Sequence, residues 1–260
     1  MLSLFAELEF PSIDNLVKWP SISEGFFFNK IALIDVIAVL LTVLLFTLGA
    51  KGKLVPKGFQ NLRESSVNFI DEGIIQQTIG HGGEKYIPYL ATIFFFVLFT
   101  NIFEVIPGIA MPANARMGNP AFVALLTWAF FICVGVKAQG PKYFWAAINP
   151  PGVPGALKPL VILIEFISTF IVRPFSLAVR LFANMLAGHI LLVTFGVLTL
   201  TLWFAEGDAI VTALMKVGSI VPFVVLVALT GFEIMVSFLQ AYVFTILAAV
   251  YIGGAAHPEH

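Results

Sequence analysis

Residues Pro174–Ile190 read PFSLAVRLFANMLAGHI. An arginine stands near the middle of this apolar run, and Leu, Val, Ile and Phe dominate the chain for long distances on either side. Arg180 therefore has no adjacent aqueous loop to reach. A charge at bilayer depth costs roughly 2.5–3.5 kcal/mol on insertion scales, and such residues mark functional sites by default. At about 100° per residue, Arg173, Ser176, Arg180 and Asn184 fall in one narrow stripe, with the small Ala187 and Gly188 close by. The stripe is a polar seam in a greasy helix. Its plainer reading is an arginine that ties two helices together through a carboxylate.

Working outward, the 260 residues are 59% hydrophobic and only 11% charged, with a mean hydropathy of +0.98. Soluble domains carry about 25% charged residues. The apolar runs exceed the 18 or so residues of a membrane helix and are far longer than barrel strands require. The fold class is an all-α integral membrane protein. A net charge of −1 without a basic run gives no ground for a nucleic-acid partner. The single Cys133 lies in an apolar segment and reads as a packing residue. Residues 1–30 hold Glu7, Glu9, Asp14, Pro11 and Pro20 and lack a basic start, so they read as an external tail rather than a secretory signal.

About five crossings and one interfacial amphipathic helix follow. Span 1 is expected over 31–50, with Asp35 at the interface. The amphipathic helix is expected over 55–80, its rough apolar face made of Phe59, Leu62, Val67, Phe69, Ile70, Ile74 and Ile75; a solvated loop is the competing reading. Span 2 covers 87–106 and ends in NIFEVIPG with Glu104, and span 3 covers 120–136. The Pro- and Gly-rich stretch QGPKYFWAAINPPGVPGALKP reads as a connection, not a helix. The last two segments, 160–204 and 209–253, contain no convincing hairpin loop. As helices of about 45 residues each would reach roughly 68 Å, against a hydrocarbon core of about 30 Å. Two long, steeply tilted helices are expected, with Pro174, Gly188, Pro222 and Gly231 permitting bends.

Basic residues concentrate in 51–85 and 137–158, which assigns both segments to the inside, while Glu206 and Asp208 fall outside. The N-terminus is then outside and the C-terminus cytoplasmic. This topology sorts the ionisable groups by depth. Glu104, His189 and Glu233 collect in the outer half, Glu165 lies in the inner half, and Arg180 sits between. A carboxylate and an imidazole exchange protons with cavity water near neutral pH. An arginine cannot be deprotonated in a protein, so it interrupts a continuous proton wire while attracting an anionic group. Arg180 and His189, nine residues apart, face opposite ways; Glu233 and Gln240, seven apart, share a face. Gln240 is thus expected beside Arg180, with His189 and Glu233 in the outer cavity. The blander readings are an interfacial cap for Glu104, a packed histidine for His189 and a structural partner for it in Glu233. Glu165 would simply reach inner water, and Asn184 and Gln240 would be interhelical glue. Lys216 and Arg173 read as snorkelling and packing residues.

RPFSLAVRLFANMLAGH (Arg173–His189), FEIMVSFLQAYVFTILAAVY (Phe232–Tyr251) and NIFEVIPG together resemble the family of subunit a of F-type ATP synthases, over nearly the whole chain. The resemblance implies that Arg180 is the stator charge, with Asn184 and Gln240 in the same two motifs. It implies an outer half-channel at Glu104 and the His189–Glu233 pair, and an inner-channel acid at Glu165. The chain would be a non-catalytic ion-translocating subunit with two offset half-channels, most simply for protons. Implied partners are a c-subunit ring, b-type peripheral stalk subunits, the remaining ATP synthase subunits and the lipid of a bacterial plasma (inner) membrane. The ring would supply a broad curved body against which two tilted helices could lie. No cofactor or metal is implied, and no phosphate-cradling GxxxxGK[ST] occurs. A stand-alone secondary ion transporter is the alternative, and the absence of an internal repeat counts against its symmetric forms. An intramembrane hydrolase would need a Ser or Cys nucleophile set around His189 that the sequence lacks.

Overall fold

Hydrocarbon offers a backbone no hydrogen-bond partner, so the apolar runs satisfy their own amides as helices. The computed structural model describes residues 30–48, 57–106, 113–149, 153–155, 157–205 and 207–256. The expected external tail (apart from Lys30), Lys51, Lys53, Glu206 and the last four residues lie outside the described residues. In chain order come α1 (Lys30–Leu48), α2 (Phe59–Ile70), α3 (Ile87–Ile102), α4 (Gly118–Gln139), α5 (Lys142–Ile148), α6 (Lys158–Trp203) and α7 (Ala209–Ala256). Five stretches, built on α1, α3, α4, α6 and α7, are long and apolar enough to cross a membrane. Among the described residues there is no strand.

The core forms where α3, α4, α6 and α7 meet. Leu90, Phe94 and Val97 of α3, Ala124 and Phe131 of α4, Leu177 and Leu181 of α6, and Phe244, Ala248 and Ile252 of α7 are buried together. The small residues of α7 let its backbone come close to its neighbours. At Gly253 a Cβ would sit 3.2 Å from the Thr78 carbonyl oxygen.

The amphipathic segment does not lie free. α2 runs on through a π turn (Asp71–Ile75) to Gln76–Thr78, and Ile70, Ile74 and Ile75 are fully buried in the core. Phe69 meets the rings of Phe94, Phe238 and Tyr242. Only the first turns, with Phe59 at 62% and Leu62 at 51% exposure, present apolar side chains outward.

One sequence expectation is overturned. The stretch after α4 carries a helix, α5, rather than a plain connection. α4 runs on to Gln139 and stops at Gly140, whose φ of 67° is costly for other residues. Pro141, at φ −63°, is pre-set for a new helix start. Tyr143 then folds back over Gly135 of α4, where a Cβ would run into its ring.

α6 and α7 are single long elements of 46 and 48 residues, with no fold-back. Each is adjusted once by a proline, which has no N–H and crowds the carbonyl four residues earlier. Ahead of Pro174 the α6 ladder widens into a π turn at Ser168–Val172, which holds the crowded Phe170. Ahead of Pro222, α7 changes from Ala209–Gly218 to Ile220–Ala256 through a turn at Ser219. The two helices pack antiparallel along the segment that carries the polar seam.

Candidate functional site

The polar residues of α3, α6 and α7 converge at one level of this antiparallel pair. His189 of α6 places Nδ1 3.6 Å from Oε1 of Glu104, just beyond the end of α3, and both side chains are buried. Glu233 of α7, 6% exposed, lies across the neighbouring Gly188 of α6. A Cβ at position 188 would stand 2.5 Å from the Glu233 carboxyl carbon and from Oε1. Any Cβ there would make the Glu233 carboxyl shift from this position. One turn further along, Asn184 Nδ2 donates to Gln240 Oε1 at 2.7 Å.

Asn101, Asn184, Glu233, Ser237 and Gln240 line a cavity of about 10 Å³ between these helices, about the space of one water. Among the described residues, both carboxyl oxygens of Glu104 and the Gln240 amide nitrogen find no hydrogen-bond partner despite their burial. Buried polar atoms left in that condition are uncommon and call for a functional explanation. A carboxyl group, an imidazole and a second carboxyl in line can pass a proton through water between them.

Arg180 stands one turn before Asn184 on the same face of α6 and is half-buried. Among the described residues no carboxylate forms an ion pair with it, so the intrachain tie of the plainer reading is not present there. Beside it, the small Ala183 and Ala187 are exposed, as is Asn184. Gln240 accepts its hydrogen bond from Asn184, one turn from Arg180 on the same face of α6. Glu165 is not brought to this cluster. It is half-exposed, on the far side of the π turn and fifteen residues before Arg180, about 22 Å along a helix. Arg173 lies 5.1 Å from the Tyr251 ring centroid and Lys216 5.9 Å from that of Trp203, both in packing roles. Burial pushes the Tyr143 phenol up from its ordinary pKa, while the nearby Arg173 charge pulls it down more weakly.

Two contributors escaped the sequence reading. Gly188 reads in the sequence as a small residue and a possible bend, yet it is the seat of Glu233. Asp35, read as interfacial, accepts a hydrogen bond from Asn119 Nδ2 at 2.9 Å, at the head of a chain of asparagines that reaches Asn101. The signal available was three asparagines near the ends of facing spans. Among the described residues no group of three or more His, Cys, Asp or Glu could hold a metal ion.

Residues 31–253 match the family model described as the ATP synthase A chain. The chain belongs to that family. It is 41% identical over 242 residues to ATP synthase subunit a of Frankia alni, covering 92% of this chain and 81% of the relative. It is 40% identical over 259 residues to ATP synthase subunit a of Rhodococcus erythropolis, covering 97% and 92%. The Streptomyces lividans subunit a is 36% identical over 246 residues, covering 93% and 84%. As a subunit a family member, the chain is a membrane-embedded part of the Fo stator, taking part in ion transport and ATP synthesis with the other ATP synthase subunits as partners.

Proposed function

We propose that this chain provides two offset half-channels to a ring of c subunits, and that Arg180 separates them. A proton arrives from outside by way of Glu104, His189 and Glu233 and passes to a carboxylate of the ring. The neutralised carboxyl can turn into lipid. After nearly a full rotation it meets Arg180, whose guanidinium stabilises the carboxylate and so expels the proton toward the inner side near Glu165. Asn184 and Gln240 hold the two helices in register beside that exchange.

The observation that carries this reading is the half-buried Arg180, without a carboxylate partner among the described residues, beside small exposed residues on an otherwise apolar face. Small side chains let a partner helix approach closely, and a cation at that depth attracts an acid brought by the partner. The large apolar side chains exposed along both long helices, among them Phe175, Phe232, Met235 and Leu239, suit contact with a ring and with lipid. The same reading sets the chain in a bacterial plasma membrane with its N-terminus outside and its C-terminus cytoplasmic, and has b-type peripheral stalk subunits as further partners.

Arg180→Lys tests it. A lysine keeps the charge but can lose its proton and lacks the guanidinium fork, so coupled ATP synthesis in membrane vesicles is expected to cease while the complex still assembles. Synthesis at the wild-type rate would remove the stator role.

A further inference from the structure

Four polar side chains lead from α1 to the cavity beside Glu233, and every link has a defined direction. Asn119 Nδ2 donates both its hydrogens, to Asp35 Oδ1 at 2.9 Å and to Asn114 Oδ1 at 2.8 Å. Asn114 Nδ2 likewise donates twice, to Asn101 Oδ1 at 2.8 Å and to Thr100 Oγ1 at 3.0 Å. The Thr100 hydroxyl is within 3.0 Å of the carbonyls of Phe96 and Val97, which take its hydrogen. Asn101 and Asn114 are 1% exposed. Asn101 therefore spends its carbonyl on Asn114, and its NH₂ is the end left for the cavity that it lines together with Glu233, Asn184 and Gln240.

An amide or a hydroxyl can reverse its role by turning over. An ionised carboxylate cannot, because it only accepts. Asp35 is thus the one member of the chain that cannot be satisfied by the opposite arrangement. We propose that Asp35 is a positioning residue: it fixes the polarity of the amide chain Asn119–Asn114–Asn101 and thereby holds an N–H donor, rather than a carbonyl, toward the cavity of Glu233. This inference rests on the reading of that cavity as part of the ion pathway. The chain does not conduct protons itself, since amides at neutral pH neither gain nor lose them. Its effect is on the cavity. A donor facing the acid favours the carboxylate, whereas a carbonyl there would favour the protonated acid, so polarity decides how readily Glu233 gives its proton up. Glu104 and His189 stand beside the same acid and are left unchanged by such a reversal.

The test uses the intact complex in inverted membrane vesicles, with ATP-driven proton pumping measured per copy of the chain recovered in the complex. Asp35→Asn is nearly isosteric and removes only the fixed acceptor. Asp35→Asn with Asn119→Asp keeps the same groups, volume and charge but puts the fixed acceptor where Asn114 must turn over. We expect Asp35→Asn to lower pumping per complex, and the double variant to lower it about tenfold without rescue, the scale on which partners that orient a functional group act. Wild-type pumping in the double variant would overturn the proposal. So would a loss that only follows reduced assembly, since Asp35 would then merely hold α1 to α4. Glu233→Gln in the same vesicles separates the two layers. If it pumps normally, the ion-pathway reading itself falls and this inference with it. If it blocks pumping while the double variant does not, only the polarity relay falls.

Discussion

Replacing Gly188 by alanine separates position from stability at the buried acid. The new Cβ would stand 2.5 Å from the Glu233 carboxyl carbon, and ordinary contact begins near 3.4 Å. The carboxyl must therefore retreat by about 0.9 Å, most simply by swinging the end of a flexible side chain rather than by parting two helices. The fold should bear this, because the three atoms nearest the added methyl all belong to the far end of the Glu233 side chain. Function should not. Displacements near 1 Å in a reacting geometry cost up to about a hundredfold in rate, so at least about a tenfold loss is expected. The assay is ATP-driven proton pumping in inverted vesicles, normalised to assembled complex. Shortening the acid as well, with Glu233→Asp, removes one methylene and should recover part of the loss. Wild-type pumping by Gly188→Ala, or an equal loss of assembly and pumping, would refute the reasoning.

Other perturbations probe the neighbouring contacts. His189→Ala and Glu104→Gln should each slow pumping, and the double variant should be no slower than the worse single one, because the two groups face each other at 3.6 Å; independent, multiplying losses would mean they do not act together. Asn184→Ala and Gln240→Ala should show a coupling of about 0.6 kcal/mol, at most about 1.7, in a double-mutant cycle on the detergent stability of the complex, and a coupling of zero would remove their hydrogen bond. Gly135→Ala drives a methyl into the buried Tyr143 ring and should destabilise the α4–α5 hairpin by about 1–3 kcal/mol, read as a lowered melting temperature. Tyr143 itself gives a pH test. Its folded pKa is raised, so the folded chain keeps a proton that the unfolded chain loses above about pH 10. Stability should then fall as pH rises through that value and be unaffected at neutral pH. Tyr143→Phe should abolish this alkaline loss, and an unchanged alkaline profile would exclude Tyr143 as its source.

The crossings were legible because hydrocarbon forces long apolar runs into helices, and the absence of any turn signal between Leu160 and Phe204 correctly favoured one long element over a hairpin. α5 was hidden because Pro and Gly on both sides mask seven helical residues, and the ring contact between Tyr143 and Gly135 that holds it is tertiary. For the same reason half of the α2 face looked membrane-directed, although Ile70, Ile74 and Ile75 belong to the core. At the site, helical arithmetic put Arg180 and Asn184 on one face and His189 elsewhere. It could not say that His189 meets Glu104, since the end of α3 is placed by packing. Nor could it find the Asp35 chain, because the direction of an amide becomes visible only when its partners are in place.

The π turn at Ser168–Val172 has a geometrical consequence for the inner part of α6. It holds one residue more than an uninterrupted ladder would, and so changes the phase of everything before it by roughly 100° relative to everything after. Glu165 and Arg180 lie on opposite sides of that joint. Their relative azimuth is therefore set by local winding as well as by their separation in sequence. A one-residue deletion within that joint would restore the regular ladder and leave the acid on nearly the same side of the helix, whereas a deletion between the joint and Arg180 would swing it by roughly 100°.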